Sequence, residues 1–144
     1  MTALEACHKF DNQFKCCVAI DPVFTSRWEQ VEKDNKFIVK TPFLIVSNEW
    51  FQSPKRPIRD YFQDWKVICK FYKDSLKVQN DPEGKISQNV VLEGSYHLVQ
   101  FDWALRDTIF LKLVREIGIF VDVEAKQRET IALMIGFIQK TLDQ

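Results

Sequence analysis

Apolar residues recur every three or four positions between Pro57 and Val78, and this spacing predicts an amphipathic helix over 57–78. One side of that helix carries the apolar residues Ile58, Tyr61, Phe62, Trp65, Ile68, Cys69, Tyr72 and Leu76. The opposite side carries a line of basic residues. We therefore expect the helix to dock on a core by its apolar side and to expose its basic side.

Ser26 and Glu29 match a capping box, from which we predict a short helix over 26–35. Helical spacing of apolar residues predicts two more helices, over 3–18 and 122–142. The last of these opens at Asp122, a residue type suited to accept a hydrogen bond from the first turn. Its apolar residues in line are Ile131, Met134, Ile135, Ile138 and Leu142. The segment 96–120 is apolar around most of its circumference, which is typical of a helix at the centre of a bundle.

The stretch FIVKTPFLIVSNEWF, residues 37–51, supports two interpretations. Its β-branched residues favour a strand. The pair Thr41-Pro42 instead resembles a helix cap followed by a proline in the first turn. We adopt a short buried helix that begins near Pro42.

These elements predict an all-α fold, with 1–144 forming a single helical domain of five or six helices around the central apolar helix. The scarcity of turn residues, 4 glycines and 5 prolines in 144 residues, supports helices over a sandwich or barrel. The alternative is an α+β fold with a small sheet, in which the segments 15–20, 37–46 and 89–101 are strands.

The overall charge of the chain limits the kinds of partner that it can attract at long range. Lys plus Arg and Asp plus Glu each number 20, so no global field attracts nucleic acid or an acidic membrane. No apolar run approaches the roughly 20 residues that span a bilayer, and the N-terminus MTALEACHKF lacks the apolar run of a secretory signal. We therefore expect a cytoplasmic protein that does not enter a membrane, with its 4 cysteines as reduced thiols.

The chain offers little catalytic or metal-binding chemistry. Glu5 and His8 have the Glu-x-x-His spacing of di-iron bundles, but such a site needs a second copy of the motif, and His97 has Glu93 four residues before it instead. Gly-rich phosphate loops and paired-cysteine zinc motifs are missing from the sequence. We predict a protein that is not an enzyme and that uses neither a cofactor nor a metal.

The basic side of the 57–78 helix is the best candidate for a functional surface. We predict partner binding by Lys55, Arg56, Arg59, Lys66, Lys70, Lys73 and Lys77. The last five fall within roughly 60° of arc at about 100° per residue. We therefore predict a self-associating interaction module, a homo-oligomer, whose basic helix face contacts another protein with an acidic or mixed-charge surface. The alternatives are a nucleic-acid-binding accessory protein that uses the same face and a lysine-rich face that is only solvated.

Overall fold

The computed structural model describes residues 2–10, 13–22, 30–31, 33, 36–49, 65–95 and 122–143. Along the chain these form α1 (Thr2–Lys9), β1 (Cys17–Ile20), β2 (Phe43–Asn48), α2 (Trp65–Val78), β3 (Gln88–Leu92) and α3 (Val123–Leu142). The strands make one parallel sheet in the order β1-β2-β3. The described part of the chain therefore combines helices with a sheet, and the predicted all-α bundle of five or six helices is wrong.

The largest difference between the predicted fold and the structure lies at the central strand β2. All six of its residues are buried, because strands pair with both of its edges and helices cover both of its faces. A strand covered on both faces has apolar residues where a half-exposed strand alternates polar and apolar ones. Its sequence is therefore a nearly continuous apolar run, which resembles that of a buried helix. The buried helix predicted to begin near Pro42 is therefore wrong. Pro42 lies just before the strand, and its carbonyl accepts a hydrogen bond from the Cys17 amide at 2.9 Å.

The predicted helix over 3–18 is also wrong in its second half. Helix α1 ends at Lys9, and the chain forms β1 from Cys17. Parallel pairing places Val18 opposite Leu44 and Ile20 opposite Val46. The β-branched residues Val18, Ile20 and Val46 suit a strand. Strand β1 lies inside the alternative segment 15–20, and β2 and β3 overlap 37–46 and 89–101.

Two apolar layers sandwich the sheet. On one face, Phe43 and Ile45 of β2 pack with α1 and α2. This layer comprises Leu4, Cys7, Cys17, Ala19, Val31, Phe37, Val39, Phe43, Ile45, Val67, Ile68 and Phe71. On the other face, Leu44 and Val46 pack with Leu92 of β3 and Phe137 of α3. The two helices α2 and α3 therefore lie on opposite faces of one sheet.

The predicted helices at 57–78 and 122–142 are confirmed where the structure describes them, as α2 and α3. Asp122 caps α3, and its carboxylate accepts a hydrogen bond from the Ala125 amide at 2.9 Å. The segment 96–120 and residues 57–64 lie outside the described residues, as does most of 26–35.

Candidate functional site

The apolar side of α2 fixes the orientation of its lysines. Val67, Ile68 and Phe71 are at most 2% exposed. The Phe71 ring lies 5.5 Å from the ring of Phe37 and 5.4 Å from that of Phe43. Val67 and Phe71, which the predicted apolar stripe omits, are completely buried. With this side locked in the core, the opposite side of α2 must face solvent.

The exposed side of α2 carries lysines. Lys66, Lys73 and Lys77 are exposed, and Lys70 is half-buried. The structure thus brings the four predicted residues of the 65–78 segment to one side of the helix. The other three predicted residues, Lys55, Arg56 and Arg59, lie outside the described residues.

Asp74 orders two of these lysines. Its carboxylate accepts hydrogen bonds from the Lys70 ammonium at 2.6 Å and from the Lys77 ammonium at 2.9 Å. Burial by itself would raise the pKa of Asp74, but the hydrogen bonds and charges of the two lysines outweigh burial and hold that pKa below its ordinary value. Asp74 is the one acidic residue between Trp65 and Val78, against four lysines, so this length of helix keeps three excess positive charges.

A polar junction holds the C-terminal end of α2 against the sheet. The Gln79 side-chain amide donates to the carbonyls of Val39 at 3.0 Å and Thr41 at 2.9 Å, just before β2. Its carbonyl accepts from the Ser87 hydroxyl at 2.7 Å, just before β3. The Ser87 hydroxyl in turn accepts from the Phe43 amide at 3.0 Å. One side chain therefore ties the end of α2 to the start of two strands.

Asp81 organises the loop between α2 and β3. Its carboxylate accepts three backbone hydrogen bonds, from Lys85 at 2.9 Å, Ile86 at 2.7 Å and Ser87 at 3.2 Å. Burial opposes its ionisation, yet these amides outweigh burial and hold the pKa of Asp81 below its ordinary value. The polar composition of residues 80–88 suggests an exposed loop, but Asp81 and Ser87 are buried.

The carboxyl ends of the strands carry polar residues that sequence reasoning missed. Asp21 follows β1, and its carboxylate accepts hydrogen bonds from the backbone amide of Asn48 at 2.7 Å and from the Asn48 side chain. Glu49 follows β2 and accepts from the Gly94 amide at 2.8 Å, beyond β3. A sequence signal exists for Asp21, which directly follows the apolar run CVAI. The signal is weaker for Glu49, because Ser47 and Asn48 separate it from the apolar run FLIV. Ligands of parallel sheets bind at this edge, but here the carboxylates bind the strand ends themselves.

In the Glu5-x-x-His8 motif, His8 contacts the segment that precedes β2. The His8 ring donates from Nδ1 to the carbonyl of Ile38 at 2.7 Å, and its centroid lies 4.8 Å from the Phe37 ring. Among the described residues, no group of three or more His, Cys, Asp or Glu side chains is arranged to hold a metal ion.

The cysteines of α1 and β1 form a buried thiol pair. Cys7 and Cys17 are 3% and 4% exposed, and their thiols share a hydrogen bond. Burial first, and then the neighbouring Cys7, raise the pKa of Cys17 far above its ordinary value, so this thiol stays protonated at neutral pH. The pair therefore contributes to the core as small apolar groups.

No protein-family model, curated protein or solved structure matches this chain. Within the described ranges, no helix has the length and apolar character needed to cross a membrane.

Proposed function

We propose that this protein is a non-enzymatic, self-associating interaction module that binds an acidic or mixed-charge protein through the lysine face of α2. The observation that supports this most directly is the opposition of two sides of one helix. Phe71 is completely buried, whereas Lys66, Lys73 and Lys77 on the other side are exposed. A partner would therefore meet ammonium groups displayed on a backbone that the core holds in place.

The arrangement of charge also supports a specific surface. Asp74 holds Lys70 and Lys77 along the helix, which lowers the conformational entropy that these side chains would lose on binding. The three excess positive charges are concentrated on 14 residues of a chain with zero net charge. Such local complementarity acts mainly on association rate and on the choice of partner. From their charge in the sequence, we also propose that Lys55, Arg56 and Arg59 contribute to partner binding.

The charge balance of the chain favours a protein partner over nucleic acid. Nucleic-acid-binding domains usually have an excess of basic residues, and this chain has none. The four cysteines of the chain form no disulfide, which agrees with the cytoplasmic location that we propose for the module.

The test is charge reversal of the exposed lysines, Lys66→Glu, Lys73→Glu and Lys77→Glu together. A matched control reverses three exposed lysines elsewhere, Lys15, Lys36 and Lys85, so that both variants carry the same net charge. Each is used to capture partners from native lysate, with and without nuclease treatment. We expect the α2 variant to lose nuclease-resistant protein partners that the wild type and the control variant retain.

Three outcomes would overturn the proposal. Equal capture by both variants, with unchanged melting temperatures, would show that the lysine face is solvated and does not bind the partner. Loss of all captured material on nuclease treatment would show that the surface binds nucleic acid. Binding should then fall steeply as the salt concentration rises. Loss of folding by the α2 variant alone would mean that its lysines support the fold.

A further inference from the structure

The apolar surface of helix α3 is wide, and the sheet covers only part of it. Phe137 is buried against Leu44 and Val46, with Leu133 and Met134 packed beside it. A second line of apolar residues lies next to this covered side. It consists of Ile131, Ile135 and Leu142, which are 54%, 51% and 61% exposed.

The spacing of this line makes it a continuous surface. Residues four and seven apart, as here, lie on one side of a helix within roughly 40° of arc. Single exposed aliphatic residues are ordinary, but three in line form an apolar patch of the kind that marks interaction sites. We call Ile131, Ile135 and Leu142 the α3 stripe.

We infer that the α3 stripe pairs with the same stripe of a second copy of this chain, with the two α3 helices antiparallel across a two-fold axis. This deepens the self-association in the proposed function and is independent of the partner bound by α2. A two-fold pairing lets one patch serve as both halves of the interface, and it is the commonest symmetry of oligomers.

Charge around the stripe favours a second copy over a strongly charged partner. The charged residues beside its N-terminal end, Glu124 and Arg128, form an ion pair with each other at 2.9 Å. The neighbouring Gln127 and Gln139 are uncharged. The rim of the stripe is therefore neutral, and two copies can approach without repulsion between like charges.

The antiparallel orientation adds an attraction. When Ile135 of each copy lies at the two-fold axis, Arg128 of one copy is level with Leu142, in the last turn of α3 in the other. That turn presents the carbonyl end of the helix, and Asp143 follows it in an exposed position. A cation beside a helix C-terminus is favourable, because the last carbonyls carry partial negative charge.

The size of the patch predicts a weak dimer. Three side chains supply only part of the roughly 800 Å² per partner that a standard stable interface buries. We therefore expect a reversible dimer with a dissociation constant on the order of micromolar.

Sedimentation velocity over a range of concentrations that brackets the micromolar region tests this inference. We expect the full-length wild type to pass from monomer to dimer, and Ile135→Glu to stay monomeric with the melting temperature of monomeric wild type. Ala132→Glu introduces the same charge at an exposed position on another side of α3 and should dimerise like the wild type.

A charge swap tests the orientation. Arg128→Asp and Asp143→Arg should each weaken the dimer several-fold, and the double variant should recover most of that loss. Failure of this recovery would overturn the antiparallel arrangement.

Other outcomes would overturn the inference altogether. A wild type that is monomeric throughout, with Ile135→Glu lowering its melting temperature, would mean that this chain covers its own stripe. Unchanged dimerisation of Ile135→Glu would assign self-association to another surface. Partner capture by the α2 lysines, measured with Ile135→Glu, reports separately on the proposed function.

Discussion

Helices α2 and α3 cover opposite faces of the sheet formed by the described strands, yet they use their apolar residues differently. The core takes up Val67, Ile68 and Phe71 of α2, and polar residues fill the side that remains. The sheet takes up Phe137 of α3 but leaves Ile131 and Ile135 about half exposed. The first helix exposes lysine side chains, and the second exposes apolar side chains.

The difference follows from the width of the apolar arc in each helix. In α2 the lysines interrupt the apolar positions on one side, so the helix has only one way to dock. In α3 the apolar residues extend beyond the width that a single sheet face can cover. A helix with a wide apolar arc can satisfy its fold and still retain a surface for association, and the following predictions test that distinction.

The largest effect is expected for Phe71→Ala in α2. This completely buried ring contacts Phe37 and Phe43, so its removal leaves a cavity and should lower the free energy of unfolding by about 3–5 kcal/mol. Phe137→Ala in α3 should cost less, because Phe137 borders an open cleft of about 430 Å³ that admits water when the ring is removed. Urea unfolding of both variants measures the difference, and equal losses would show that the two layers are equally closed.

The next effect concerns Asp81→Asn at the end of α2. Asparagine has only one accepting side-chain oxygen, so it cannot replace both Oδ1, which accepts the Lys85 amide, and Oδ2, which accepts the Ile86 and Ser87 amides. We therefore expect a loss of about 1–3 kcal/mol at neutral pH. Because the folded pKa lies below its ordinary value of 3.8, the contribution of the carboxylate is present above that pH and is lost as pH falls through the folded pKa. Unfolding measured from neutral to acidic pH should therefore show a shallower acid limb in the variant. An identical acid limb would contradict ionisation of the buried carboxylate.

A smaller effect of opposite sign is expected for Ser47→Ala on β2. The Ser47 hydroxyl is 1% exposed and has no hydrogen-bond partner in the described structure. Removing an unsatisfied buried polar group should raise the free energy of unfolding by up to about 1 kcal/mol. Thermal unfolding checks this result, and a clear destabilisation would reveal a partner for the hydroxyl. Ser75→Ala is the matched control and should destabilise, because its hydroxyl accepts the Val39 amide at 3.1 Å.

The smallest effect is expected for Ile131→Ala in the α3 stripe. At concentrations where the protein is monomeric, this variant should change stability by less than about 0.5 kcal/mol, since Ile131 is 54% exposed and alanine is a good helix former. Ile68→Ala in α2, at 2% exposure, should cost several times more. Similar losses from the two changes would remove the contrast between the helices.

Much of the candidate surface could be predicted from the sequence. The apolar spacing placed Lys66, Lys73 and Lys77 on one side of a helix, and that side is exposed. The role of Asp81 could not be predicted, because its partners are backbone amides whose positions depend on how the following loop folds. The pairing of Asp21 with Asn48 depends similarly on the alignment of two strands.

The sequence by itself determined the elements whose signals are local. Helices α2 and α3 follow from contacts between residues three and four apart and, for α3, from the Asp122 cap, so neighbouring residues contain the necessary information. Only the tertiary structure decided the sheet, since Phe43 pairs with Cys17 and Leu44 with Gln88, which are distant in sequence. It also decided which part of the apolar arc of α3 is buried, because one sheet face covers only the width of helix that it can contact.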